Sequence, residues 1–139
     1  MIASSEGSDK LQERRPRVLL IDDHPELLKA LRRFLGASCE IVGEFTSGQA
    51  ALEAVSELKP DVVVLDLNMP GIDGLEATRH IRGTMPETGV VMITAADDAD
   101  IHRAALDAGA SAVVLKHRIA GELLMAIFSA SAPRKEVNP

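Results

Sequence analysis

The chain has 139 residues, 46% of them hydrophobic, the usual size of one compact domain with enough apolar material for a core. Fifteen basic against 21 acidic residues give a net charge of -6, which argues against an autonomous nucleic-acid binder, whose footprint should be basic. A lone cysteine, Cys39, excludes a disulfide framework and a cysteine-based zinc site, and reads as an inert thiol in a reducing compartment. No apolar run approaches the roughly 20 residues of a membrane span, and the start "MIASSEGSDKLQERRPR" lacks the apolar core of a signal peptide, so no membrane partner and a cytoplasmic location are expected.

Residues 1–16 are polar, show no apolar period and read as a mobile leader, with Met1 as a natural start and the domain beginning near Arg17. From there short apolar runs alternate with segments of helical period. The runs are "VLLI" (18–21), "IV" (41–42), "VVVL" (62–65), "VVMI" (90–93) and "AVVL" (112–115). Four of them are continuous rather than alternating, as expected of strands covered on both faces. After Pro25 a first helix places Leu27, Leu28, Leu31, Phe34 and Leu35 on one stripe and stops at Gly36. The second, within 46–60, faces inward with Ala51, Val55 and Leu58 and ends at Pro60, which disfavours helical geometry in Lys59. The third, bounded by Asp73 and Gly83, carries Leu75, Thr78 and Ile81. The fourth is alanine-rich, with Ile101, Ala105 and Ala108 inward, and Asp97, Asp98 and Asp100 form its solvated start. The last, 120–130, carries Leu123, Leu124, Ile127 and Phe128. Five strand–helix alternations predict an α/β domain over 17–130, with a doubly wound parallel sheet and right-handed crossovers. Residues 131–139 turn polar, either as a complete tail or as the start of a linker to an output domain.

Four apolar runs end in polar residues of particular kinds: Asp22 and Asp23 after the first, Asp66 after the third, Thr94 after the fourth, Lys116 after the fifth. In an open parallel sheet these carboxyl ends share one edge, where the ligand crevice lies. Three carboxylates there would repel one another and raise their pKa values unless a cation sits among them. Mg²⁺ suits that role, being a hard ion that takes carboxylate oxygens and is completed by substrate phosphate. Asp66 can then act as a nucleophile toward a phosphoryl group whose charge Lys116 offsets, while Thr94 donates a hydroxyl hydrogen bond beside the small Ala95 and Ala96. Singly, each residue has a plainer role: a helix cap for Asp22 and Asp23, turn chemistry for Asp66, a solvated side chain for Lys116, a strand or cap residue for Thr94. Their joint placement favours the phosphoryl-transfer reading. His24, His80, His102 and His117 show no ligand spacing with one another and read as surface or packing residues.

The set "LLIDDHP", "VVVLDLNMPGIDG", "MITA" and "VVLKH" resembles the receiver domain of two-component response regulators, over residues 17–130. The resemblance implies a flavodoxin-like (βα)₅ fold of strand order 2-1-3-4-5. It implies that Asp66 accepts a phosphoryl group from a histidine kinase or phosphotransfer protein. Asp22, Asp23 and Asp66 would hold Mg²⁺ with the Asn68 backbone carbonyl, Thr94 would be the switch hydroxyl, and Lys116 would pair with the phosphate. Output is expected through the fourth helix, fifth strand and fifth helix, by self-association or contact with an effector protein. "DLNMPGIDG" and the alanine-rich fourth helix look most like receivers that precede helix-turn-helix output domains. Two positions depart from the family pattern: Val113 stands where an aromatic toggle is common, and His117 where a proline often follows the lysine. Two other functions stay open. An aspartyl-nucleophile phosphatase of the haloacid-dehalogenase kind is disfavoured by Asn68, where a second Asp is required, and by the position of the site on the third strand. A receiver-like interaction module that is never phosphorylated would share the fold without using the site.

Overall fold

The continuous apolar runs require cover on both faces, and the helices between them supply it. The computed structural model of the protein describes residues 15–69 and 71–131. Five strands, β1 (Arg17–Ile21), β2 (Glu40–Phe45), β3 (Val62–Asp66), β4 (Gly89–Thr94) and β5 (Ala112–Leu115), alternate with five helices: α1 (Pro25–Leu35), α2 (Gly48–Leu58), α3 (Gly74–Thr84), α4 (Ala99–Asp107) and α5 (Ile119–Ser131). The strands form one parallel sheet in the order β2-β1-β3-β4-β5, the flavodoxin-like order expected from the sequence.

Alternation along each strand divides the core in two. Val18, Leu20, Val62, Val64, Val91, Ile93 and Val114 face α1 and α5, where Leu28, Leu31, Leu35, Leu123 and Ile127 are buried. Leu19, Ile21, Val63, Leu65, Val90 and Met92 face α2, α3 and α4, where Ala51, Val55, Ala77, Ile81 and Ala105 are buried. The helix ends follow local chemistry: Ser47, Asp73 and Asp98 accept backbone N–H groups at the starts of α2, α3 and α4. Lys59, held out of helical geometry by Pro60, closes α2 in a left-handed conformation (φ 50°).

Three details differ from the sequence reading. Phe34 and Phe128, expected on buried stripes, are each 42% exposed. Phe34 precedes the buried Leu35 and Phe128 follows the buried Ile127, and one residue turns a helix by about 100°, which carries both rings to the flank of their stripe. Between β3 and α3 an additional two-stranded ladder pairs Asn68 with Asp73 and Met69 with Ile72, and Gly71 takes φ 84° in its turn. Residues 1–14 and 132–139, which hold most of the expected leader and tail, lie outside the described residues. Arg15 and Pro16 are tied to the fold: Arg15 donates to the Gly36 and Cys39 carbonyls (3.1 and 2.9 Å), and the Pro16 carbonyl accepts from the Glu40 N–H (2.8 Å).

This burial pattern separates two neighbours on α5. Ile127→Ala should lower stability by about 2–5 kcal/mol, the usual cost of emptying a core site, while Phe128→Ala should cost well under half of that. Urea denaturation of both variants checks the assignment, and equal losses would contradict it.

Candidate functional site

Sheet register brings the polar strand ends together. Ile21 pairs with Leu65, Asp66 with Ile93, and Thr94 with Leu115. Asp22 therefore follows β1 beside the end of β3, Thr94 closes β4 one residue beyond the partner of Asp66, and Lys116 follows the partner of Thr94. All five expected side chains stand at one edge of the sheet.

Their environments differ. Asp22, Asp66 and Thr94 are buried, Lys116 is partly buried, and Asp23 is partly open to solvent. Asp66 Oδ1 accepts the Asn68 N–H at 3.1 Å, while Lys116 Nζ donates to Asp66 Oδ2 at 3.3 Å and lies 3.9 Å from Asp22 Oδ2. Burial pushes the Asp66 carboxyl above its ordinary range and the nearby Asp22 charge adds to this; the Asn68 N–H and Lys116 oppose it. Thr94 Oγ1 accepts the Ala96 N–H at 3.1 Å, which leaves the hydroxyl proton available for donation. Lys116 opens a 3₁₀ turn, Lys116–Arg118, which is how the chain leaves β5 with His117 in place of proline. Val113 is half-buried and packs against the α2–α3–α4 core, an aliphatic position with no ring to rotate.

The acidic cluster fits a divalent cation. Ligand atoms of Asp22, Asp23, His24 and Asp66 lie within 4.8 Å of one another. Asp22 Oδ2 and Asp23 Oδ1 are buried atoms with no hydrogen-bond partner among the described residues, and such oxygens are costly unless a cation meets them. His24 is a member that its sequence context did not reveal. Its Nδ1 is 2.9 Å from Asp22 Oδ1 and 3.1 Å from Asp23 Oδ1, although most of the ring is exposed. The available signal was its place directly after the acidic pair, rather than any spacing to another histidine. His80 and His117 are exposed and His102 is half-buried, all three outside the cluster. Cys39 is buried and burial pushes its thiol up, as suits an inert side chain.

A five-stranded α/β sheet with an acidic pair, a buried aspartate, a threonine and a lysine at its carboxyl edge defines a class, and comparison with known proteins agrees with it. The response regulator receiver domain family matches residues 18–128, and the chain belongs to that family. The response regulator GacA of Pseudomonas viridiflava is 36% identical over 125 residues, covering 88% of this chain and 58% of that protein. The chain thus spans a little over half the length of the curated relatives it matches. The signal receiver domain of a NarL response regulator from Mycobacterium tuberculosis superposes with TM-score 0.80 at 35% identity, covering 86% of this chain and 98% of that one. A LuxR-family two-component response regulator from Aurantimonas does so with TM-score 0.80 at 34% identity, covering 85% and 86%. These relatives accord with the expected likeness to receivers that precede helix-turn-helix output domains. These relatives are response regulators, and no described helix is long and apolar enough to cross a membrane.

The raised Asp66 carboxyl has a consequence for stability. Between the ordinary carboxyl value near 3.8 and its raised folded value, the folded state holds more protons than the unfolded state. Stability is therefore lost as pH rises through that window, and above it ionised Asp66 is a standing cost. Asp66→Asn should raise the Tm of the metal-free protein by a few degrees at pH 7, with the gain shrinking as pH falls toward 4. Thermal unfolding across that range tests this, and an unchanged or lower Tm at pH 7 would contradict it.

Proposed function

We propose that the chain is a phosphorylation-dependent signalling switch in the cytoplasm, with Asp66 as the phosphoacceptor and a histidine kinase or phosphotransfer protein as the donor. The observation that carries this reading is the buried Asp66 carboxylate beside Asp22 at the open edge of the sheet, with the Lys116 ammonium reaching both. A carboxylate oxygen of Asp66 attacks phosphorus, the phosphorus–nitrogen bond of the donor phosphohistidine breaks, and an acyl phosphate forms. Lys116 moves its ion pair from the carboxylate to the incoming phosphoryl oxygens, and the Thr94 hydroxyl donates to one of them. Asp22, Asp23, Asp66 and the Asn68 backbone carbonyl would hold Mg²⁺. When bound, the ion offsets carboxylate repulsion and screens charge on the transferring group. The same residues support self-catalysed loss of the phosphoryl group to water, the extent of the chain's own catalysis.

Output is assigned to the α4, β5 and α5 face. Phosphorylation adds about -1.5 to -2 charges and new acceptor oxygens, which draw Thr94 and Lys116 inward and shift the elements they terminate and open. That face carries exposed apolar side chains suited to protein contact, Leu106 at 51% and Met125 at 75% exposure, and a groove of about 500 Å³ between β5 and α5 is lined by Ala112, Met125, Ala126 and Ala130 together with Ser111 and Ser129. Self-association or an effector protein is the proposed partner. With a net charge of -6, the chain does not bind DNA by itself.

Incubation with acetyl phosphate and Mg²⁺, followed by phosphopeptide mass measurement, should label Asp66 alone. Asp66→Asn should abolish uptake, and Asp23→Ala should weaken both Mg²⁺ binding and labelling. Comparable labelling at another carboxylate, or undiminished labelling in excess chelator, would overturn the mechanism; no labelling at all would favour a module that is never phosphorylated.

Hydrogen exchange with and without beryllofluoride, a phosphoryl mimic, should change within residues 94–128. Lys116→Ala should suppress that change more than it weakens Mg²⁺ binding. A change confined to α1 and α2 would overturn the proposed output face.

A further inference from the structure

We propose that Gly48, the first residue of α2, is a positioning residue for the loop that carries the Asn68 carbonyl: the space left by its missing side chain seats Ile72 and thereby fixes the 68–73 ladder beside Asp66. The inference rests on the metal-assisted reading above and deepens it.

Gly48 is buried, and a Cβ placed on it would overlap Ile72 Cγ2 and lie 3.2 Å from Ile72 Cβ and 3.5 Å from Cδ1. The overlap falls on a methyl of a β-branched side chain with few alternative rotamers, and any rotation leaves the isoleucine Cβ 3.2 Å from the added carbon, closer than ordinary contact. Relief therefore falls on α2 or the ladder as well as on the isoleucine. Helix α2 is the better anchored of the two: Ser47 caps it through the Ala50 N–H at 3.3 Å, and Ala51 and Val55 are buried against the sheet. The ladder is two residue pairs long, and its strand partners transmit a shift of Ile72 to Met69 and of Asp73 to Asn68. Asn68 also gives its N–H to Asp66 Oδ1, so the same shift reaches the phosphoacceptor.

A second glycine holds the other end of this path. A Cβ on Gly74 would lie 2.7 Å from the Leu67 carbonyl oxygen and 2.9 Å from Leu67 Cα, so Gly74 lets the start of α3 lie directly against the backbone that leaves Asp66. The segment between Asp66 and α3 is thus seated at Leu67 on Gly74 and at Ile72 on Gly48. The first contact closes on the loop itself. The second ties the loop to a separate helix, and that tie sets where the Asn68 carbonyl stands relative to the aspartates.

The test is a double-mutant cycle on the full chain with Gly48→Ala, Ile72→Ala and both together. It is read by calorimetric Mg²⁺ titration, by amide chemical shifts of residues 67–69 and 71–74 in the metal-free protein, and by metal-free Tm. Gly48→Ala should weaken Mg²⁺ binding about tenfold, as loss of an outer-shell support typically does, and displace the ladder amide shifts. The double variant should bind no worse than Ile72→Ala, because the added methyl fills the space that the isoleucine vacates. Wild-type affinity in Gly48→Ala, or a double variant whose loss is the product of the two single losses, would overturn the proposal while leaving the function standing. Absence of Mg²⁺ binding by the wild type would overturn both. If Gly48→Ala does not fold, Ile72→Ala alone decides: weaker Mg²⁺ binding with shifted ladder amides supports the seat, and unchanged affinity overturns it.

Discussion

The structure is organised around one electrostatic conflict: the buried Asp66 carboxylate lies next to a second buried carboxylate, Asp22, and their principal cationic partner, Lys116, is partly open to solvent. Removing a carboxylate from water costs several kcal/mol unless its charge is met. Lys116 meets part of it from 3.3 Å, and the Asn68 N–H meets another part. The rest is left over, visible in the upward displacement of the Asp66 carboxyl and in Asp22 Oδ2, which accepts no hydrogen bond among the described residues and has the Lys116 ammonium no nearer than 3.9 Å. A site built for stability alone would use an amide or an apolar residue here. The residual charge imbalance is what a cation can relieve, so the cost in the free protein would become a driving force for cation binding.

That conflict is tolerable only because the sheet is rigid around it. The strands beneath the site, β1, β3 and β4, are paired on both sides and buried on both faces by two independent sets of apolar side chains. Strand ends cannot drift apart to relax repulsion without opening one of those cores. The parallel topology supplies the second requirement, since each βα unit returns its strand in the same direction and delivers its terminal polar residue to the same edge. The side chains of the candidate site come from residues 22, 23, 66, 94 and 116, in four separate stretches of the sequence, and sheet register makes them neighbours.

Much of this was legible in the sequence because it depends on period and on strand ends. Four continuous four-residue apolar runs and the shorter "IV" marked five strands, and the polar residues after the four long runs located the crevice. What the pattern hid was geometry finer than a stripe. Phe34 and Phe128 fit a helical period and still fall on the exposed flank, because a stripe counts positions and not the angular width of the sheet beneath it. The ladder at 68–73 is too short to have a period, and "NMPGID" shows only a turn. His24 joined the acidic group through adjacency rather than spacing, and Gly48 has no side chain to mark the close approach of Ile72.

The distribution of rigidity also bears on how a signal would leave the domain. Helices α1 and α5 bury leucine, isoleucine and valine contacts that interdigitate with the sheet, so their displacement would empty well-packed sites. Helix α4 differs: Ala105 is its only fully buried residue, with Ile101, His102 and Ala104 half-buried, and its N-terminal cap depends on the exposed Asp98. Small side chains interlock weakly, so sliding this helix by a fraction of an ångström forfeits less packing than sliding any other. It follows Thr94 within five residues and packs beside β5, whose next residue is Lys116. The two side chains proposed to turn toward a phosphoryl group therefore lie at the two ends of the segment that is cheapest to move, and with an aliphatic Val113 no ring at that position is available to carry such a change.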